Sequence, residues 1–181
     1  PEWSDVPALA HDPEGALALL TEAGMQDFEM EISSIDDDWR KNTTDAVAAQ
    51  LRDAGFNVKR TIIPGSTFWN DWTKYPFSST NWNHRPLGTQ ILGLAYRSGE
   101  AWNESAFSNA EFDTLLDEAN SIPDADARSV VMAKLQAIMT NEGVTIQPYW
   151  RSLYRHAKPG FVGWDMHIAY LPQIYKIGLA A

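Results

Sequence analysis

The stretch Trp82-Asn83-His84-Arg85 gathers four kinds of side chain suited to holding a small molecule. An indole offers a broad apolar face and a single N–H donor. The guanidinium of Arg85 is a planar fork of donors that matches a carboxylate, phosphate or sulfonate bidentately. More indoles stand at Trp69, Trp72 and Trp102, with Tyr75 among them, and eight tryptophans in 181 residues is a rich supply. Two readings stay open for each group. Tryptophans line clefts, and they also fill cores and domain interfaces. The 82–85 stretch is either a ligand-facing loop at the carboxyl end of a strand or a structural turn in which Arg85 pairs with one of many carboxylates.

The recognisable catalytic motifs are absent. Cys is absent, which removes thiol nucleophiles, disulfides and Cys-ligated zinc together. The four histidines, His11, His84, His156 and His167, show no H-x-x-x-H spacing. There is no Gly-rich phosphate loop, no G-x-S-x-G elbow and no H-E-x-x-H helix. Asp36-Asp37-Asp38 reads as a helix N-terminus, where capping and the dipole favour acids. Asn42-Thr43-Thr44 and Asn103-Glu104-Ser105 match the glycosylation acceptor pattern, which recurs often by chance. The expectation is a protein with no catalytic residue, no metal and no cofactor. A hydrolase acting on sugars or peptides is the enzymatic alternative, needing a pair of carboxylates at defined separation. A sensory or chaperone-like binding module is the third reading.

The bulk properties narrow the partners. A formal net charge of -10 argues against a nucleic-acid partner, which needs a basic patch, and it disfavours an anionic membrane surface. With 44% hydrophobic and 21% charged residues the chain has the means to fold rather than stay disordered. No apolar run reaches the roughly 20 residues that span a bilayer. The chain opens on Pro1-Glu2-Trp3-Ser4-Asp5, without Met or a charged leader. The expectation is a fragment of a longer precursor, whose export signal would lie in the part not present.

The elements that must position these side chains follow from caps and periods. Asp12-Pro13-Glu14 starts a helix, with Ala16, Leu19, Leu20 and Ala23 on one face and Gly24 as its stop. Phe28, Met30 and Ile32 alternate with acids, the pattern of a half-buried strand. A second helix over about 38–54, with Val47, Leu51 and Ala54 inward, leads through Gly55 into a strand over 56–63. Strand, helix and strand in this order predict a parallel βαβ unit. Pro64-Gly65 breaks the second strand, an aromatic segment over 68–75 follows, and 77–82 reads as a third strand. Ser108 with Glu111 predicts a capping box ahead of a helix with Phe112, Leu115, Leu116 and Ala119 inward. Asp124 caps the next helix, whose stripe is Val131, Leu135, Ile138 and Met139. The stretch 144–149 reads as a strand interrupted at Pro148, and the tail from Arg151 as irregular structure with short strands.

Taken end to end, this order resembles the family 5 solute-binding proteins of ABC importers for peptides and nickel. The residues carrying the resemblance are Asp12-Pro13-Glu14-Gly15-Ala16-Leu17-Ala18-Leu19-Leu20, the helix-to-strand turn Ala49 to Val58, Tyr96-Arg97-Ser98-Gly99 with Trp102-Asn103 and Phe107 to Leu116, and Val144 to Trp150. The resemblance covers essentially the whole chain and the C-terminal part of the family's plan. It implies an α/β fold: the C-terminal lobe of a type II periplasmic-binding-protein-like clamshell, a mixed sheet flanked by helices. Residues 1–147 would form that ligand-binding lobe, and 148–181 a hinge-crossing return segment packed on the absent N-terminal lobe. It implies capture of a solute of the peptide, opine or nickel class, with ligand contacts from Trp82, Asn83, His84, Arg85, Trp69, Trp72 and Trp102. It implies ABC permease transmembrane subunits as partners, a monomer when full length, and a periplasmic or otherwise extracytoplasmic location. One departure stands out. Family members that bind peptides carry an aspartate in the loop after the tryptophan, for the peptide's α-amino group. Here the stretch reads Asn83-His84-Arg85-Pro86-Leu87-Gly88, and Arg85 suits an anionic group instead. His84 is the one histidine that the nickel-binding relatives bring into view.

Overall fold

The computed structural model describes residues 6–180. They form two compact units. One comprises Pro7–Trp82 and Ser98–Ser108; the other holds Asn83–Arg97 and the chain from Asn109 onward.

The first unit is built on the expected βαβ unit. Strand β1 (Met30–Ile35) and strand β2 (Val58–Ile63) run parallel, in register from Met30 opposite Val58 to Ile35 opposite Ile63. Helix α1 (Pro13–Glu22) precedes β1, and helix α2 (Asp38–Asp53) connects the two strands. Helix α3 (Gly65–Asp71) follows β2, and β3 (Ser78–Ser79) adds in parallel to the free side of β1, giving the order β2-β1-β3. The third strand is shorter than the 77–82 pattern predicts. Because β1 is central, Ile32, Ser33, Ser34 and Ile35 are all buried. Ile32, Ala48 and Val58 form the core between sheet and α2, with Met30, Val47, Leu51, Phe56 and Phe77 around them. The fully buried Thr44 hydroxyl donates to the Arg40 carbonyl at 2.9 Å, so its burial leaves no donor unsatisfied. On the exposed edge Thr61 donates to Glu31 and Lys59 pairs with it, which together hold the Glu31 carboxyl below its usual range.

Two details of this unit correct the sequence reading. Phe28 is exposed and lies ahead of β1, which starts at Met30. On α1, capped by Asp12 through the Gly15 amide, Leu19 is 66% exposed. Leu17 is the residue that meets the unit: a Cβ on Gly55 would stand 3.1 Å from Leu17 Cδ1. A helix residue is rotated about 100° from the next, so Leu17 and Leu20 share a side that Leu19 does not. Leu17 and Leu20 are accordingly half-buried, where Leu19 is exposed.

The second unit packs α4 (Gly88–Ala95), α5 (Ala110–Ser121) and α6 (Ala125–Asn141) around Leu92, Ala95, Phe112, Leu115, Leu116, Ala119, Val131, Met132 and Leu135. Asp124 caps α6 as expected, accepting from the Ala127 amide at 2.8 Å. The cap of α5 is Asn109, which accepts from the Phe112 amide at 2.9 Å, and Ser108 is not the cap. The Ser108 hydroxyl is bonded to Ser98 instead, one residue too early to reach the helix's free amides. An ion pair joins Arg97 to Asp117 and holds the Asp117 carboxyl below its usual range.

No strand forms over 144–149. A strand needs a ladder partner, and none lies beside this stretch among the described residues. Its amide Gln147 bonds the Tyr149 carbonyl instead. Farther on, β4 (Phe161–Val162) and β5 (Gly178–Leu179) pair antiparallel, with a 3-10 turn at Ile174–Lys176 before β5. Gly163 sets this ribbon: its φ is +74°, and a Cβ there would stand 2.0 Å from the Lys176 carbonyl oxygen. The change Gly163→Ala is expected to cost about 1–3 kcal/mol of local strain. Amide exchange should show it as roughly fivefold or more faster opening across 161–163 and 176–179.

Candidate functional site

Parallel strands bring their carboxyl ends to one edge, the usual place for ligands in open α/β sheets. Here the ends are level, with Ile35 opposite Ile63 and Ser34 opposite Ser79. The segments leaving that edge are the first turn of α2, helix α3 and residues 80–82, and the 98–108 stretch of the same unit adds Trp102 and Glu104.

Four of the predicted tryptophans meet there in a continuous row. Ring centroids are 6.3 Å apart from Trp69 to Trp72, 5.9 Å from Trp72 to Trp82 and 6.0 Å from Trp82 to Trp102. The rings meet tilted or edge to face, the arrangement their quadrupoles favour. The two end members, Trp69 and Trp102, are 42% and 49% exposed. Fully buried Phe68 anchors the row from α3, stacking on Tyr75 and meeting Trp69 edge-on, both at 5.2 Å.

Two polar clusters hold the row, and neither was anticipated. Glu104 accepts from Trp82 Nε1 at 2.8 Å and from the Thr80 hydroxyl at 2.6 Å. Arg40 donates through Nε and Nη2 to Asn81 Oδ1, forms an ion pair with Asp37, and lies 4.6 Å from the Trp39 ring centroid and 5.5 Å from that of Trp69. Arg40 carried a local signal. A cation in the first turn of a helix opposes the dipole, so such an arginine asks for a reason. Glu104 and Asn81 carried none, because their partners lie 22 or more residues away in sequence.

Asp37 both caps α2, accepting from the Arg40 amide at 3.0 Å, and pairs with the Arg40 side chain. Removing it in Asp37→Ala should cost about 1 kcal/mol in urea unfolding. Asp37→Asn keeps the capping oxygen and should recover most of that.

The rest of the predicted contact set, Asn83, His84 and Arg85, belongs to the second unit. Arg85 Nη1 donates to the carbonyls of Asn83 and His84, and no carboxylate pairs with it among the described residues. His84 Nε2 is hydrogen-bonded with the Ile168 carbonyl, tying the stretch after Trp82 to the tail. Among the described residues no three His, Asp or Glu side chains come together as a metal-ligand group.

No protein-family model matches this chain, and no curated protein sequence matches it. Solved structures do. The chain superposes on OppA of Burkholderia pseudomallei with a TM-score of 0.77 at 19% identity, over 100% of this chain and 37% of that one. The oligopeptide-binding protein AppA of Bacillus subtilis, solved with a nonapeptide, gives 0.71 at 20% identity, over 100% and 40%. NikZ of Campylobacter jejuni, solved with Ni(L-His), gives 0.63 at 18%, over 74% and 31%. The chain therefore spans two fifths or less of the length of these proteins. It has the α/β fold of these periplasmic-binding-protein-like chains, a parallel sheet flanked by helices.

Proposed function

We propose that this chain is part of an extracytoplasmic binding protein that captures a solute of the peptide, opine or nickel class for an ABC importer, and that it performs no catalysis. The observation that carries the reading is the coincidence of the fold, over the whole chain, with a binding protein solved in complex with a nonapeptide, together with a tryptophan row at the sheet edge where such folds receive ligands. Trp69, Trp72, Trp82 and Trp102 supply apolar contact. Asn83, His84 and Arg85 supply a second, polar reading stretch, in which the Arg85 fork suits an anionic group of the solute.

In this reading residues 1–147 are the C-terminal ligand-binding lobe, and 148–181 return across a hinge to a lobe outside this chain. The tail supports this with its apolar exposure: Trp150 and Tyr175 are each 81% exposed, and Tyr154, Ile168, Leu171 and Leu179 stand out with them. So much uncovered apolar surface fits a segment made to be covered. Solute would close the lobes by shifting an open–closed equilibrium, and the closed monomer would deliver to the permease subunits.

Uptake tests the reading. Cells lacking the full-length protein should lose import of one solute class, be it a peptide or a metal chelate, and regain it with the wild-type gene. Unchanged uptake of peptides, opines and nickel–histidine would overturn it.

A further inference from the structure

Glu104 is half-buried beside the tryptophan row, and no cation lies within ion-pair distance of it among the described residues. A carboxylate has about four lone-pair positions. Two are used, by Trp82 Nε1 and the Thr80 hydroxyl, and both donors are neutral. The full negative charge is thus held in place without being neutralised, next to indole faces that themselves attract cations. Arg40, the other charge in the cluster, is already matched by Asp37. Of the charges in the two clusters that hold the row, Arg40, Asp37 and Glu104, it is Glu104 that has no ion-pair partner among the described residues. A half-buried carboxylate ordinarily acquires a partner, since desolvation without one is costly.

We propose that Glu104, Trp82 and Trp102 form a subsite for an organic cation, an alkylammonium or guanidinium group carried by the captured solute. This rests on the solute-capture reading and adds to it the class of group read at this position. Glu104 supplies the charge and, through Trp82 Nε1, fixes the tilt of the central ring. Trp102, half-exposed at the end of the row, closes over the apolar part of the cation.

The test is isothermal titration of the full-length protein with n-hexylammonium and n-hexylguanidinium, with 1-hexanol as the uncharged counterpart. Glu104→Gln keeps an acceptor for Trp82 Nε1 while removing the charge, so it should retain the near-ultraviolet dichroism of the row. Saturable binding of both cations, at least tenfold weaker in Glu104→Gln and weakened also in Trp102→Ala, with 1-hexanol unaffected, is the expected result. Equal cation binding in wild type and Glu104→Gln, or 1-hexanol binding as well as the cations, would overturn the subsite. A protein that carries a solute with no cationic group would also overturn it, while leaving solute capture standing. A protein that takes up neither the probes nor any solute would bring down both.

Discussion

Phe112→Ala should cost about 3–5 kcal/mol of stability, and the second unit should be the part that suffers. Phe112 is fully buried on α5, as are Leu116 of the same helix and Leu135 of α6, the helix that packs against it. Truncation removes the ring's transfer energy and leaves a cavity that three packed helices cannot easily close. Domains are stable by only about 5–15 kcal/mol, so urea unfolding should move to a visibly lower midpoint. Val130→Ala is the internal control. Val130 sits on α6 beside buried Val131 but is 63% exposed, and its loss should stay within roughly 0.5 kcal/mol. A cost below about 1 kcal/mol for Phe112→Ala would mean that the three-helix core is not packed as described.

Trp82→Ala should weaken solute binding about 30-fold or more. Trp82 is in ring contact with both Trp72 and Trp102 and bonded to Glu104, so its removal takes away the centre of the row and releases both neighbours. Central aromatic anchors typically carry about 2 kcal/mol or more, which is the 30-fold loss. Trp82→Phe keeps a ring but not the N–H donor and should fall between. Fluorescence titration with the solute released from the wild-type protein measures all three. Indistinguishable affinities would remove the row from the binding site, whatever the fold.

The frame was legible in the sequence because its signals are local. Asp12, Asp37 and Asp124 cap the helices where their positions predict, and the period of 30–35 and 58–63 yields the parallel pair. Misreadings arose where a local rule had competing solutions or needed a distant partner. Asn109 and Ser108 are both acceptable cap residues, and it is Asn109 that accepts from the Phe112 amide while Ser108 bonds Ser98. The residues 144–149 have strand composition, but a strand is made by its neighbour. The tryptophans could be named as candidates, whereas their joining into a row depended on α3, the exit of β3 and the 98–108 stretch meeting at one edge. Glu104 and Asn81 were invisible for the same reason, since their chemistry exists only across 20 or more residues of chain.

The most direct test of solute capture is native mass spectrometry of the full-length protein purified without denaturation. A solute that dissociates slowly, over hours to days, stays bound through purification. The account predicts one bound solute per protein, of peptide, opine or metal-chelate class, reduced in Trp82→Ala. A protein that is empty as isolated, and stays empty when offered peptide mixtures, opines and nickel–histidine, would contradict it.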